Sequence, residues 1–415
     1  MKILALVEDL RINKTSAGIC NSRILMALLL GGHSIKCLYD YYEDNTFPWL
    51  KNDNITFLEI HNLKESNVIN ILKKIPKANA LPAYTTGFNF GELRKIKSWK
   101  QTIKEELDNN YDFILVLGAG NSNSNFFAIA SIKTKVPYIV YYHDPYPIHQ
   151  YPKPYGKPSS HVGRLKAKKS NKVIEKAYKV SFPSLKLYEW MLKFHPNLAD
   201  KSFVLPHVYA DLTNLPTLFS DTLVNLNEAA FNILHVGSLL GPRNPKTLIK
   251  VFNKFINEDE ERRQLYFLNI IGSVAKENEE FDKNLDLQNV NLLKTRVSYS
   301  KSLDLLKQAN AVLILEANSE NSPFMPGKLA DCIAVRKPIM ALTSKNSETA
   351  RILGVNNQLI ADLENEVEIY KILSRLWTSF KDNKEKNLIN EELFMYISAE
   401  NFNKILNEQI KTLDA

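Results

Sequence analysis

Phe231–Phe252, FNILHVGSLLGPRNPKTLIKVF, carries the pattern on which the fold turns. Phe231–Val236 is a short β-rich apolar run, and Gly237 opens a Gly/Pro/Asn loop that lasts to Asn244. Pro245 then starts a run with apolar residues at Leu248, Ile249 and Phe252, which is helical spacing. Proline suits a helix start because its fixed φ and missing N–H cost nothing there. Strand, glycine loop and helix over Pro245–Ile256 make half of a βαβ unit.

Working outward, the rhythm continues. Strands are predicted at Leu265–Ile271, Val290–Leu293, Ala311–Leu315 and Pro338–Leu342, with helices at Ser300–Gln308 and Gly327–Val335. Upstream the pattern has already run once, with strands at Lys2–Val7, Ser34–Tyr39, Phe113–Leu117, Tyr138–Tyr142 and Val180–Pro183. Helices fall at Gly18–Gly31, Ser124–Lys133 and the basic Arg164–Lys179. Alternation of this kind predicts an α/β chain with mostly parallel, doubly wound sheets, and here it predicts two of them. Leu212–Glu228, polar and without periodicity, reads as the linker. Glu391–Thr412, with Phe394, Ile397, Phe402, Ile405 and Leu406, reads as one or two terminal helices.

A chain of 415 residues exceeds what one core serves, and two domains are expected. Cys20, Cys37 and Cys332 form an odd set with no metal-ligand spacing, which excludes a disulfide framework and a zinc site. The N-terminus turns acidic at Glu8 and Asp9 before a signal-like stretch develops, and the longest apolar run, Ile24–Leu30, is far too short to span a bilayer. A soluble, unexported, cytoplasmic protein is expected.

Net charge is +8, unevenly shared. Residues 1–211 hold 29 Lys and Arg against 18 Asp and Glu, whereas residues 212–415 hold 24 against 27. The excess concentrates in Tyr151–Lys186, where ten cations face only Glu175. Such a run is a solvated helix face or a surface for an anionic membrane or acceptor. Nucleic acid is not expected, since Tyr151, Tyr155 and Tyr178 are too few and irregular for base stacking.

Ligands of doubly wound sheets sit at the carboxyl ends of strands, which selects three loops. In Gly237–Lys246, Arg243 stands just before a helix start, a pairing that can clamp phosphate. In Pro323–Pro338, Pro326 and Gly327 open a helix bearing Lys328 and Asp331 three residues apart, on one face. After the strand Tyr138–Tyr142 come His143, easily tuned in charge, and Asp144, able to orient it or bind hydroxyls. Glu258-Asp259-Glu260 reads as a solvated helix-end loop rather than a metal triplet.

Together these segments resemble the GT-B glycosyltransferases, specifically retaining family 4. GSLLGPRNPKTLIKVF is similar to the family's donor-phosphate loop, LNIIGS (Leu268–Ser273) to its next strand and glycine turn, and PGKLADCIAVRKPIMAL (Pro326–Leu342) to a variant donor helix. TSAG (Thr15–Gly18) and GGHSIKCLY (Gly31–Tyr39) resemble its first glycine loop and following strand, and VSFPS with VLPH (Val204–His207) its hinge-side strands.

The resemblance implies two Rossmann-like domains facing each other across a cleft. The acceptor domain would span 1–205, with a C-terminal helix of about 391–415 packing back on it, and the donor domain 206–390. Arg243, Lys328 and His143 would be catalytic, the first two neutralising the leaving diphosphate. Gly18, Asp144, Gly237, Ser238, Asn244, Ser273, Arg296, Val297, Pro326, Gly327 and Asp331 would bind substrate, Asp331 at the ribose. The family's first Glu is replaced by Pro323, with Glu320 or Glu316 as substitutes, and Ser238 and Asn244 stand where the donor loop often has Arg and Lys. No cofactor or metal is implied. The donor would be a nucleotide-diphosphate sugar, UDP-sugar first, and the acceptor a saccharide or lipid-linked saccharide in cell-surface glycan assembly, with residues 151–186 turned to an anionic membrane. The alternatives are a nucleotide-sugar epimerase of the same fold and a non-catalytic binding protein.

Overall fold

The computed structural model of the chain describes residues 1–41, 46–63, 78–283, 285–384 and 390–411, so the expectation for 412–415 lies outside the described residues. Two compact units result. The first holds Met1–Tyr151, Gly156–Asn214 and the residues from Ala399 onward, and the second holds Pro152–Tyr155 and Leu215–Ser398.

In the first unit β1 (Lys2–Val7), β2 (Ser34–Tyr39), β3 (Ile55–Glu59), β4 (Phe113–Leu117), β5 (Tyr138–Tyr141), β6 (Lys179–Phe182) and β7 (Ser202–Val204) form one parallel sheet, ordered β3-β2-β1-β4-β5-β6-β7. In the second, β8 (Phe231–Val236), β9 (Tyr266–Ile271), β10 (Val290–Leu293), β11 (Ala311–Leu315), β12 (Ile339–Leu342) and β13 (Ile360–Ala361) form another, ordered β10-β9-β8-β11-β12-β13. Strand order reverses at β1/β4 in one and at β8/β11 in the other. The central strands are buried on both faces, as FILVL in β4 and AVLIL in β11 are throughout, because helices cover both sides of a parallel sheet. Trp99, Phe126, Tyr142 and Phe182 fill the first core, and Phe231, Phe252, Phe255 and Tyr266 the second.

Local chemistry moved several boundaries. Thr15 accepts from Gly18 N–H and starts the first helix at Ser16, and Ser160 accepts from Gly163 N–H and starts the basic helix at His161. That helix ends at Lys176, so Lys179 belongs to β6, and β7 ends at Val204 rather than running to His207. The tail splits in two. Arg351 donates to Tyr396 Oη (3.2 Å) within the second unit, whereas Ala399–Lys411 packs on Ser16–Leu30 in the first. There Asn403 Nδ2 donates to the Ala27 carbonyl (2.7 Å), and Gly31 is glycine because a Cβ would fall 2.5 Å from Asn403 Oδ1. The expected linker is pinned as well, since Asp221 accepts from Ser298 N–H (2.8 Å) and Oγ–H (2.7 Å).

Candidate functional site

The crevice at a strand-order reversal is where open α/β sheets hold ligands. In the second unit it lies beyond β8 and β11. Lys328, at the start of the helix Gly327–Ala334, places Nζ 3.3 Å from Nε2 of His235, a buried residue of β8. The other ring nitrogen, Nδ1, lies 3.0 Å from the Leu313 carbonyl. A carbonyl only accepts, so Nδ1 carries the proton and Nε2 offers its lone pair to the ammonium. A Cβ on Gly237 would stand 2.0 Å from Lys328 Nζ, so glycine there leaves room for the ammonium. Burial, then the Arg243 guanidinium, bring the Lys328 pKa down to about 7, with Cys332 and Glu316 pulling the other way. Arg243 and Lys328, 85 positions apart in sequence, thus share one electrostatic environment.

The Arg243 loop is built from its own backbone. Gly241 has φ +48°, a left-handed turn that suits glycine, and Arg243 N–H donates to the Leu240 carbonyl (3.1 Å). Asn278 holds the loop by donating to the Gly241 (2.6 Å) and Arg243 (2.9 Å) carbonyls. Ser238 and Ser273 join through their hydroxyls at 2.7 Å, beside Gly272, whose Cβ would fall 2.2 Å from the Gly237 carbonyl oxygen. Arg243 Nε points at the Tyr155 hydroxyl (3.4 Å), and the Tyr155 ring packs edge-on against Phe324. Tyr155 reaches this unit because Pro152–Tyr155 belongs to it. Asn244 uses its side-chain oxygen on Lys246 N–H (2.9 Å), which makes it a turn residue of the helix start.

The acidic residues divide. Asp331 is buried and accepts from Tyr299 Oη (2.9 Å). Of the two substitutes for the missing Glu, Glu320 is exposed, whereas Glu316, directly after β11, is buried, accepts from Ser322 and Thr349, and has its pKa raised by burial. Glu316 interacts electrostatically with Arg243 and Lys328, which brings it, of the two, to their site. Arg296 is exposed and its carbonyl accepts from Ser220 (2.6 Å), while Val297 is buried. Pro326 precedes the helix that Gly327 begins and accepts from Leu329 N–H through its carbonyl (2.8 Å), its own side chain making no capping bond.

The first unit's reversal has another character. His143 is buried and its Nε2 lies 2.7 Å from Asn21 Oδ1. Asn21 Nδ2 donates to the Asp9 (2.9 Å) and Gly118 (3.2 Å) carbonyls, so Oδ1 is an acceptor and His143 is protonated on Nε2. Burial lowers the His143 pKa to about 3, and the ring stacks on His207, which is also held neutral by burial. Asp144 Oδ2 would be 3.2 Å from a Cβ on Gly120. At Gly18 a Cβ would meet the Arg11 backbone at 2.6 Å, so glycine there admits the loop's own chain. Glu8, after β1, accepts from Ser122 Oγ (2.8 Å) and Asn125 N–H (3.2 Å) and pairs with Lys95 (2.6 Å). Beside it a recess of about 370 Å³ is lined by Phe88, Glu92, Asn121, Ser122, Phe127 and Tyr146 among others.

Sequence reasoning missed His235, Tyr155, Asn278, Asn21 and Glu8. The readable signal was a polar residue set in or at the end of an apolar strand, as in FNILHV and KILALVE. Asp259 caps the helix Glu260–Leu265 rather than holding a metal, and among the described residues no group of three or more His, Cys, Asp or Glu is placed to hold one. Among the same residues no helix is long and apolar enough to cross a membrane.

No protein-family model and no curated protein matches the chain. Solved structures do. An Escherichia coli trehalose-6-phosphate protein bound with UDP-2-fluoro glucose aligns over 99% of both chains at TM-score 0.63 and 11% identity. Sucrose-phosphate synthase from Thermosynechococcus elongatus aligns over 100% of this chain and 99% of its own at TM-score 0.63 and 11% identity. A glycosyltransferase from Rickettsia africae aligns over 98% of both at TM-score 0.57 and 15% identity. The fold is therefore GT-B, two Rossmann-like units in one chain.

Proposed function

We propose that the protein is a metal-independent glycosyltransferase that moves a hexosyl group from a nucleotide-diphosphate sugar, a UDP-sugar first, to a saccharide or lipid-linked saccharide. The observation that carries this reading is the pairing of Arg243 with Lys328 around Gly237, beyond β8 and β11. A similar fold in a protein bound with UDP-2-fluoro glucose supports it. The bond from the anomeric carbon to the diphosphate breaks, and the acceptor oxygen bonds to that carbon on the same face. The acceptor's proton passes to the departing diphosphate. Arg243 and Lys328 stabilise the charge that grows on the leaving group, the moment at which preorganised cations contribute most. Ser238, Ser273, Arg296 and Val297 would surround the nucleotide and Asp331 its ribose. His143, kept neutral, positions the transferred sugar, and the first unit's recess, with aromatic walls beside Glu92 and Asn121, receives the acceptor.

Association with an anionic membrane belongs to the same reading. Arg164, Lys168 and Lys172 lie four residues apart on one exposed face of His161–Lys176, while Lys166 turns to Glu92 and Lys176 to the Ala130 carbonyl. The exposed Tyr84 adjoins this helix through the bond of His161 to its carbonyl (2.8 Å). Each exposed cation near such a surface contributes about 1 kcal/mol. Vesicle binding that is insensitive to salt overturns this part, which assigns the enzyme to the inner membrane face and cell-surface glycan synthesis.

The test of the whole is a thermal-shift screen with UDP, GDP, ADP and their sugars, on the native protein and on Arg243→Ala/Lys328→Ala. A ligand at about a hundred times its Kd stabilises by about 2.7 kcal/mol. A shift lost in the double variant supports the donor site, and no shift with any nucleotide refutes it. Conversion of a UDP-sugar without acceptor identifies the epimerase instead, and inversion at the anomeric carbon refutes retention.

A further inference from the structure

Lys328 is an unusual cation for a phosphate site. Its Nζ faces His235 from β8, the Arg243 guanidinium from the loop after β8, Glu316 from the end of β11 and Cys332 on its own helix. Burial and then a second positive charge oppose its protonation, while Cys332 and Glu316, the latter bonded to Ser322 and Thr349, favour it. His235 does not relieve the crowding by changing charge, because burial first and then the Lys328 and Arg243 charges hold its pKa down against its contacts with the Leu313 and Gly237 backbone. With Nδ1–H on the Leu313 carbonyl, Nε2 accepts from the ammonium. An anion with two or more charges entering beside Arg243 reverses the balance, since an opposite charge within about 4–6 Å favours the protonated amine.

We infer that binding of a nucleoside diphosphate is coupled to uptake of one proton by Lys328, and that His235 is the positioning residue that holds the ammonium, through its Nε2 lone pair, in the place the diphosphate meets. This rests on the donor-site reading above. Affinity then falls as pH rises above the value at which the empty site loses its proton, because the bound form holds one proton more than the free form. The slope approaches tenfold per pH unit, the limit for one linked proton. The empty site's lysine, at about 7, puts the start of that fall near neutrality.

The test is calorimetric titration of the intact protein with UDP at pH 8, in buffers of differing ionisation enthalpy. At that pH the terminal phosphate, with pKa near 6, is already ionised, so the ligand brings no proton of its own. The expected result is uptake of about 0.9 proton per UDP at pH 8 and about 0.5 at pH 7, following from a site pKa near 7. Lys328→Met is expected to bind more weakly with no uptake. His235→Leu is expected to move the midpoint of the uptake-against-pH curve downward, and His235→Gln, which restores an acceptor near the same point, to bring it back. UDP binding without proton uptake overturns the coupling and leaves the donor site standing. An unmoved midpoint in His235→Leu, with uptake intact, overturns the role of His235. Failure of the native protein to bind any nucleoside diphosphate removes the donor reading and this inference with it.

Discussion

The two units share a topology and reverse strand order at equivalent places, yet they arrange their charges there differently. Beyond β8 and β11 stand Arg243 and Lys328 with two buried carboxylates, Glu316 and Asp331. Beyond β1 and β4 stand Glu8 and Asp9, each ion-paired, Glu8 with Lys95 and Asp9 with Arg11, and Asn21 links the Asp9 carbonyl to the neutral His143. A doubly wound sheet dictates where a ligand can sit and nothing about its charge. The side chains of a few loops decide that, and here they set two cations near each other in one unit and ion-paired carboxylates in the other.

The sharpest way to break the comparison is to remove a cation held between two of the first unit's carboxylates. Lys95 bridges Glu8 and Asp40 at 2.6 Å each, and its pKa is raised by both carboxylates against the opposing effect of burial. Lys95→Met leaves the buried Glu8 and the partly buried Asp40 without their shared cation and is expected to cost about 3–5 kcal/mol in chemical denaturation. Lys328→Met in the second unit is expected to spare stability and lower kcat with a UDP-sugar by about 10²–10³, as loss of one transition-state donor does. A Lys328→Met protein with native turnover would remove Lys328 from the catalytic machinery.

Glycine substitutions sharpen the contrast further. Gly18→Ala drives a methyl into the Arg11 backbone, which cannot swing away, and is expected to cost about 1–3 kcal/mol of stability. Gly237→Ala drives it against the end of the flexible Lys328 side chain, so the protein should fold normally. Its UDP affinity is expected to fall about tenfold, equivalent to roughly 1.4 kcal/mol.

A further set of effects is in pH. His143, at about 3 in the folded chain, binds fewer protons than it does unfolded, so its contribution to stability is present above about 6.5 and is lost as pH falls from there toward 3. Lys328 obeys the same sign in another window: stability rises as pH climbs from about 7 toward 10.5. Denaturation curves across both windows should flatten in the acid one for His143→Gln and in the alkaline one for Lys328→Met.

Much of the fold was legible because apolar runs of four to six residues, each ended by glycine or a polar loop, repeat with helical stretches between them. Elements without that contrast were not read. β3 (ITFLE) is a half-buried edge strand, β13 has two residues, and the helix Phe90–Glu106 is largely polar, its start set by an Asn89–Glu92 capping box. Of the site, Arg243, Lys328 and Asp331 were visible because a loop or helix start after a strand is a recognisable place. His235 and Glu316 were not read as the partners of Lys328, since they come from strands separated by 80 positions and meet it only when β8 and β11 lie side by side.

By itself, then, the sequence determined two parallel α/β units, the helices that flank them and the loops able to face a ligand, because periodicity and turn chemistry act over a few residues. Tertiary structure alone decided that Tyr155 joins Arg243, that Gly18 admits its own loop, and that Lys328 rests on a histidine which cannot take its charge. Those are matters of distance between remote residues, and burial and Coulomb energy depend on distance in space, which chain order does not record.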